Sequence, residues 1–330
     1  MSKTYSNVSE VIYYGGDHGY KALKDSEGHV LMSSLKKGKK TSGAKDAYEV
    51  EIEGDVYTIS KVSTKDGKVL SGINKLSTED NKEILKVQTL ASLYLCSKNP
   101  SSGVVIANYC FGLPMSVFND QVDALEKFIL TECNGVTVSV DGGAPKRIEI
   151  KHITAIPQSA GLPFLMEVEF KNNDISAVVD LGYFTADFSM YDGMNLRAGA
   201  KSFPKGAKDV QGELANVLTK VTNQMFYPEE IEAAMIRGKV SDINGEDIYL
   251  ESIDEFNEVI EEYINSIYAT ITNNYAELLQ ADRIYFIGGL AAPFEKQILA
   301  KFPTRKTVIV PDARFANAKS YKKVAEMSFR

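Results

Sequence analysis

The sequence predicts an α/β fold in two domains, and three observations carry that prediction. Strand-like and helix-like segments alternate through both halves of the 330-residue chain. Three short apolar runs each end on a glycine turn: VIYY at 11–14 before Gly15-Gly16-Asp17, AVVD at 177–180 before Leu181-Gly182-Tyr183, and IYFI at 284–287 before Gly288-Gly289. A chain of this length with 44% hydrophobic residues is too long for one comfortable core.

The elements follow in order. The run at 11–14 predicts a buried strand that stops in a turn at Gly15. The lysine-rich stretch 36–43 predicts an exposed loop, and alternation over 48–59, split by Glu53-Gly54-Asp55, predicts a hairpin. A helix is predicted over 77–96. Ser77 or Thr78 can cap it, Glu79 and Asp80 suit its positive end, and Ile84, Val87, Leu90 or Ala91, and Tyr94 share one face. A strand at 104–107 is expected to break at Gly112-Leu113-Pro114, followed by a helix through Ala124, Leu125 and Phe128. Strands at 136–140 and 147–156 form a hairpin around Asp141-Gly142-Gly143. A strand at 185–191 returns antiparallel to 177–180. Helices at 207–223, 229–237 and 251–279, a strand at 307–310 and a helix at 314–327 complete the chain.

Composition excludes several classes. Lys and Arg number 37 against 44 Asp and Glu, a formal charge of −7, the wrong balance for gripping nucleic-acid phosphates directly. No apolar run reaches the length of a membrane span and the start, MSKTYSNVSE, has no hydrophobic signal core, so the expected location is the cytoplasm. Cys96, Cys110 and Cys133 form no CxxC and predict buried free thiols. His18, His29 and His152 have no metal-ligand spacing, and His18 is expected to point to solvent.

The candidate site lies at the glycine turns. Asp17-His18-Gly19-Tyr20 and Asp180-Leu181-Gly182-Tyr183 share the pattern D-x-G-Y and stand nearly half the chain apart, as two similar halves would place them. Glycine lets the backbone approach phosphate oxygens, and a carboxylate at the same turn can hold Mg²⁺ directly or through water. Lys24, seven residues after Asp17, offers a point charge to a phosphate. The Gly288-Gly289 turn before a helix can pack against a purine and its sugar.

This set resembles the actin, heat-shock chaperone and sugar-kinase superfamily. Asp17-x-Gly19-x-x-x-x-Lys24 is similar to its first phosphate loop, Asp180-Leu181-Gly182-x-x-Thr185-x-Asp187 to its second, and Ile287-Gly288-Gly289 to its adenosine motif. The stretch 156–161, IPQSAG, is similar to the connecting helix that carries the water-positioning residue, here Gln158. The length, Gly112-Leu113-Pro114 and Ala316-Asn317-Ala318 are similar to the ParM-type bacterial plasmid-segregation branch. Tyr183 and Tyr20 stand where relatives carry small residues.

The resemblance implies an actin-like two-domain fold, each domain a mixed sheet flanked by helices, with nucleotide in the cleft. Domain I would comprise 1–170 with 313–330 returning to it, and domain II 171–312. It implies a protein that binds Mg²⁺ and ATP, or GTP, hydrolyses it, and polymerises head to tail, moving plasmids through a DNA-binding adaptor. Gln158 and Asp180 would be catalytic, with Asp17 and Asp180 holding the metal through water. Asp17, Gly19, Tyr20, Lys24, Gly182, Tyr183, Thr185, Gly212, Glu213, Arg237 (or Lys239), Gly288, Gly289 and Leu290 would contact the nucleotide, and Asp187 would brace the second loop. Two alternatives stay open: a sugar or carboxylate kinase of the same superfamily, and a scaffold filament without turnover.

Overall fold

The computed structural model describes residues 9–41, 47–60, 67–71, 74–101, 103–172, 175–303 and 305–330, apart from the side chain of Glu229. The polar leader up to Val8 and the Ser42-Gly43 end of the lysine-rich stretch lie outside the described residues. The fold is mixed α/β, with large sheets flanked by helices. The chain forms two compact units, Met1–Leu165 with Asn317–Arg330, and Met166–Ala316.

The first unit holds strands β1 (Ser9–His18), β2 (Ala22–Asp25), β3 (Val30–Met32), β4 (Ser34–Lys37), β5 (Ala47–Ile52), β6 (Asp55–Ser60), β7 (Lys68–Val69), β8 (Gly103–Leu113), β9 (Val136–Val140) and β10 (Lys146–Pro157). They form one sheet in the order β3-β2-β1-β8-β10-β9-β5-β6-β4-β7. Its centre is parallel: β8 lies between β1 and β10 and runs in their direction. Helices α1 (Glu79–Leu95), α2 (Phe118–Glu132) and α3 (Leu162–Leu165) belong to this unit. Thr78 caps α1 by accepting the Asn81 N–H at 3.1 Å, with Glu79 and Asp80 in the first turn and Ile84, Val87, Leu90 and Ala91 buried.

Three sequence expectations are corrected here. The first strand does not stop at Gly15 but runs through Gly15 and Gly16 to His18. Those glycines serve packing: a Cβ on Gly15 would stand 2.0 Å from the Ala318 carbonyl oxygen, and one on Gly16 would meet the Tyr14 and Tyr109 rings. Likewise β8 continues through Gly112, where a Cβ would fall 2.0 Å from the Tyr321 hydroxyl oxygen. Both strands pass beneath the last helix too closely for any side chain. The lysine-rich stretch is partly strand, since Lys36 and Lys37 lie in β4, and Lys40 Nζ pairs with Asp141 at 2.6 Å.

The second unit contains α4 (Glu167–Asn172), β11 (Ile175–Leu181), β12 (Ala186–Asp192), β13 (Asn195–Leu196), β14 (Lys201–Phe203), α5 (Ala207–Thr222), α6 (Pro228–Arg237), β15 (Lys239–Ser241), β16 (Asp247–Tyr249), α7 (Asp254–Asn274), β17 (Arg283–Gly288), α8 (Glu295–Lys301) and β18 (Thr307–Ile309). Its main sheet runs β13-β12-β11-β17-β18, with β14 also paired to β12. The apolar strands β11 and β17 are parallel neighbours, and their Ala177, Val179, Ile284 and Phe286 pack with Leu214, Leu218, Ile260, Ile264 and Ile267 of α5 and α7. The helix expected over 251–279 is shorter, because Leu250–Ser252 and Ala276–Gln280 are 3₁₀ turns flanking α7. The chain ends in α9 (Ala316–Ser328), which belongs to the first unit from Asn317 onward.

The three cysteines are free and buried. No helix among the described residues is long and apolar enough to cross a membrane.

Candidate functional site

In the first unit, three adjacent parallel strands end together. Asp17 near the end of β1 lies in register with Gly112 of β8, and Leu113 with Pro157 at the end of β10. The Gln158 N–H then donates to the Leu113 carbonyl at 2.8 Å. The carboxyl edge of such strands is where open α/β sheets collect their ligands.

The β1–β2 hairpin sets the geometry. Asp17 stands opposite Lys24 and His18 opposite Leu23, which leaves the four residues 19–22 as the connection. Gly19 is required for the tightness of this turn: its N–H donates to the Asp17 carbonyl at 2.8 Å, and a Cβ would lie 2.7 Å from the Ala22 carbonyl oxygen. Direct cross-strand opposition brings Lys24 Nζ to 2.8 Å from Asp17 Oδ2, and Gln158 Nε2 donates to Asp17 Oδ1 at 3.4 Å. One buried carboxylate thus gathers a lysine from β2 and a glutamine from the turn that follows β10.

Gln158 does not sit in a helix as expected. It follows the last residue of β10 and opens a turn, with α3 starting only at Leu162. Ser159, with φ of 66°, turns the chain here, and its N–H donates to Asn317 Oδ1 at 3.2 Å. A Cβ on Gly161 would meet Ser320 at 2.8 Å, so the turn is pressed against α9.

The expectation for His18 is also overturned. The alternation of β1 turns it inward, where it is buried, hydrogen-bonded through Nε2 to the Tyr109 hydroxyl and edge-on to Phe111. Burial, with the Lys75 ammonium adding to it, lowers its pKa to about 3, so the imidazole is neutral. Tyr20 is nearly buried and lies under a lysine that sequence reasoning missed: Lys75 Nζ is 4.2 Å from the Tyr20 ring centroid. In the sequence Lys75 stands between Asn74 and Leu76 just ahead of the α1 cap, with no local pattern that marks it for burial.

The second unit repeats the hairpin. Asp180 stands opposite Asp187 and Leu181 opposite Ala186, again leaving a four-residue connection, 182–185. The same sequence offset separates Asp17 from Asp180 and Lys24 from Asp187, so the two turns correspond residue by residue. The Gly182 N–H closes the turn on the Thr185 carbonyl at 3.0 Å. Helix α5 is fastened to this loop: the N–H groups of Ala207 and Lys208 donate to the carbonyls of Gly182 and Tyr183 at 2.9 Å. A Cβ on Gly206 would lie 2.2 Å from the Tyr183 carbonyl oxygen. Tyr183 itself packs edge-on to Phe184 at 5.0 Å.

Asp180 is buried beside Gly288, the end of β17. With φ of +93°, Gly288 would carry a Cβ 2.5 Å from the Leu181 carbonyl oxygen and 2.6 Å from Asp180 Oδ1. The second and third sequence motifs are therefore in contact. Asp187 is buried in β12 and accepts the Thr185 hydroxyl at 2.8 Å. Burial pushes its carboxyl pKa up, against the hydrogen bond from the Thr185 hydroxyl that lowers it. Burial and the nearby Asp209 and Asp180 carboxylates likewise push up the Tyr263 phenol.

Other predicted contacts lie apart from these turns along the fold. Gly212 and Glu213 are in the second turn of α5, and exposed Arg237 ends α6. Lys239 is engaged with Asp247. Leu290 is a core residue of the second unit, so only its backbone is available to a ligand; Gly289 has open space where a Cβ would project.

Asp17 in the first unit and Asp180 in the second are each a buried hard oxygen donor, the ligand type that Mg²⁺ takes directly or through its waters. Sequence spacing also missed a second grouping, Asp25, His29 and Cys96, whose ligand atoms lie within 4.8 Å of one another. There Asp25 is occupied by His29 Nδ1 at 2.9 Å and Ser92 Oγ at 2.7 Å, and burial holds the Cys96 thiol protonated.

Residues 15–161 match the family described as actin-like proteins, N-terminal domain. No curated protein sequence matches significantly. Among solved structures, an archaeal actin homologue in complex with ADP is 18% identical, with a TM-score of 0.73 over 96% of this chain and 99% of that one. A 15-stranded ParM filament from Clostridium botulinum is 16% identical, with a TM-score of 0.71 over 98% and 99%. ParM from Bacillus thuringiensis with ATP is 12% identical, with a TM-score of 0.73 over 96% and 98%.

Proposed function

From a chain that has the actin-like fold, with an actin-like N-terminal domain over residues 15–161, we propose that this protein is an ATP-dependent polymerising NTPase of ParM type. The observation that supports it most is the correspondence of the two hairpins, which puts Asp17 and Asp180 at equivalent places at the ends of parallel strands.

On this reading the turns at 19–22 and 182–185 receive the phosphates. Lys24, released in part from Asp17, gives its charge to the phosphate chain, and Gly288-Gly289 accommodates the adenosine. Asp17 and Asp180 would hold Mg²⁺, which when bound neutralises charge on the phosphate oxygens. Gln158 orients the attacking water by hydrogen bonding. It cannot serve as a base near neutral pH, so its contribution is positional. Filaments form by head-to-tail contacts that do not close, and the net charge of −7 favours DNA contact through an adaptor protein over direct binding.

The test is light scattering with Mg-ATP, Mg-GTP and a non-hydrolysable analogue, followed by phosphate release in the same sample. The expected result is a concentration threshold for scattering with phosphate release lagging behind it. Gln158→Ala should still scatter but release phosphate on the order of 100-fold more slowly, and Asp180→Ala should do neither. Absence of scattering with either nucleotide across tens of micromolar would overturn the filament reading, and ADP formation dependent on an added sugar would replace it with a kinase.

A further inference from the structure

The ammonium of Lys75 is buried beside the first hairpin and has no hydrogen-bond partner among the described residues. Its backbone is well anchored. The Lys75 N–H donates to Gln121 Oε1 at 3.3 Å, the neighbouring Asn74 carbonyl accepts Asn81 Nδ2 at 3.2 Å, and the Leu76 N–H donates to Asn74 Oδ1 at 2.9 Å. Residues 74–76 are thus tied to α1 and α2, and the lysine is held in place.

The surroundings of Nζ are specific to one chemistry. The Tyr20 ring, on the connection between β1 and β2, covers it at 4.2 Å. Asp17 acts on it as a nearby negative charge, and His18 feels its positive charge. Burial lowers its pKa to about 8, opposed by Asp17, so the group remains mainly charged at neutral pH. The Asp17 carboxylate is already engaged by Lys24 and Gln158. A desolvated ammonium without a hydrogen-bond acceptor is costly, and an isosteric apolar side chain would be more stable there. Such a charge is retained where an anion supplies the acceptor.

We propose that Lys75 is a second phosphate-binding cation of the first hairpin, in addition to Lys24, and that Tyr20 is the movable cover over it. The inference rests on the nucleotide reading of this hairpin. The anion it takes is the phosphate chain of a bound nucleotide, for which the partly exposed Gly19 and Lys24 already provide the approach. None of the sequence motifs quoted above contains this residue, and its role follows from where the packing of α1, α2 and β1 places it.

The test compares wild type, Lys75→Met and Lys75→Arg by titration with ATP, ADP and adenosine, alongside thermal unfolding without nucleotide. Lys75→Met should melt at a higher temperature than wild type, yet bind ATP and ADP about 10- to 100-fold more weakly. Adenosine affinity should be unchanged, and Lys75→Arg should retain most of the phosphate-dependent affinity. Equal losses for all three ligands, or unchanged affinity for ATP and ADP, would overturn the proposal. If Lys75→Met does not fold, Lys75 is required for folding and the proposed reason for retaining its charge is overturned. If wild type binds none of the three ligands, the nucleotide reading fails first, before any variant is compared.

Discussion

Lys24 and Asp17 face each other across the first hairpin with Nζ and Oδ2 2.8 Å apart, whereas the corresponding pair in the second hairpin, Asp187 and Asp180, are both acids. The same backbone register therefore carries an ion pair in one unit and two carboxylates in the other. The first can exchange one anion for another; the second can only share cations or protons.

Removing one member of the Lys24–Asp17 pair leaves the other exposed to its own desolvation cost. Lys24→Met should lower unfolding stability by about 1–3 kcal/mol and weaken ATP binding about 10- to 100-fold. Adding Asp17→Asn should recover part of the stability and none of the affinity. Urea unfolding and nucleotide titration of the two single variants and the double variant give the cycle. A double variant no more stable than Lys24→Met would show that the pair does not contribute as a unit.

The contact between Gly288 and the second hairpin predicts a local and severe effect. Gly288→Ala must place a side chain at a φ of +93° and 2.5 Å from the Leu181 carbonyl oxygen. A loss of roughly 2–4 kcal/mol is expected, with the second unit melting earlier. Gly289→Ala, which meets open space, should be near neutral in stability. Equal melting temperatures for the two variants would refute the contact.

Asp187 should destabilise the protein at neutral pH. Its carboxyl pKa is raised in the folded protein by burial, so the cost is absent below the ordinary carboxylate value and grows as pH rises through the folded value. Asp187→Asn, which can still accept the Thr185 hydroxyl, is expected to melt higher than wild type at pH 7, with the difference shrinking in acid. A lower melting temperature at pH 7 would point to a structural need for the charge.

The two histidines of the first hairpin region have opposite linkage. His18, with its pKa lowered to about 3, binds no proton where the unfolded chain takes one up, so stability falls as pH drops below about 6.5. The hydrogen bond to Asp25 raises the His29 pKa, so its stabilisation is complete below about 6.5 and is lost as pH rises through the folded value. NMR titration should show His29 titrating above the ordinary value and His18 silent down to strongly acid pH. His18→Gln should flatten the acid limb of a stability–pH curve. A His18 ring titrating near 6.5 would contradict its burial.

What the sequence determined alone was the position of the glycine turns. Asp180, Gly182 and Gly288 stand at strand ends because apolar runs terminate there, and the helix from Glu79 follows from its cap and periodicity, all of which are local. Tertiary structure decided what those local signals could not carry. Gly15, Gly16 and Gly112 look like breaks in sequence, yet they lie within strands because α9 and aromatic rings leave no space for a Cβ. His18 points inward because β1 continues past Gly16, which settles its side of the sheet. Lys75 is brought to Tyr20 by packing between segments far apart in the chain. Periodicity and turn chemistry act over a few residues, whereas close approach and burial depend on partners that only the completed fold supplies.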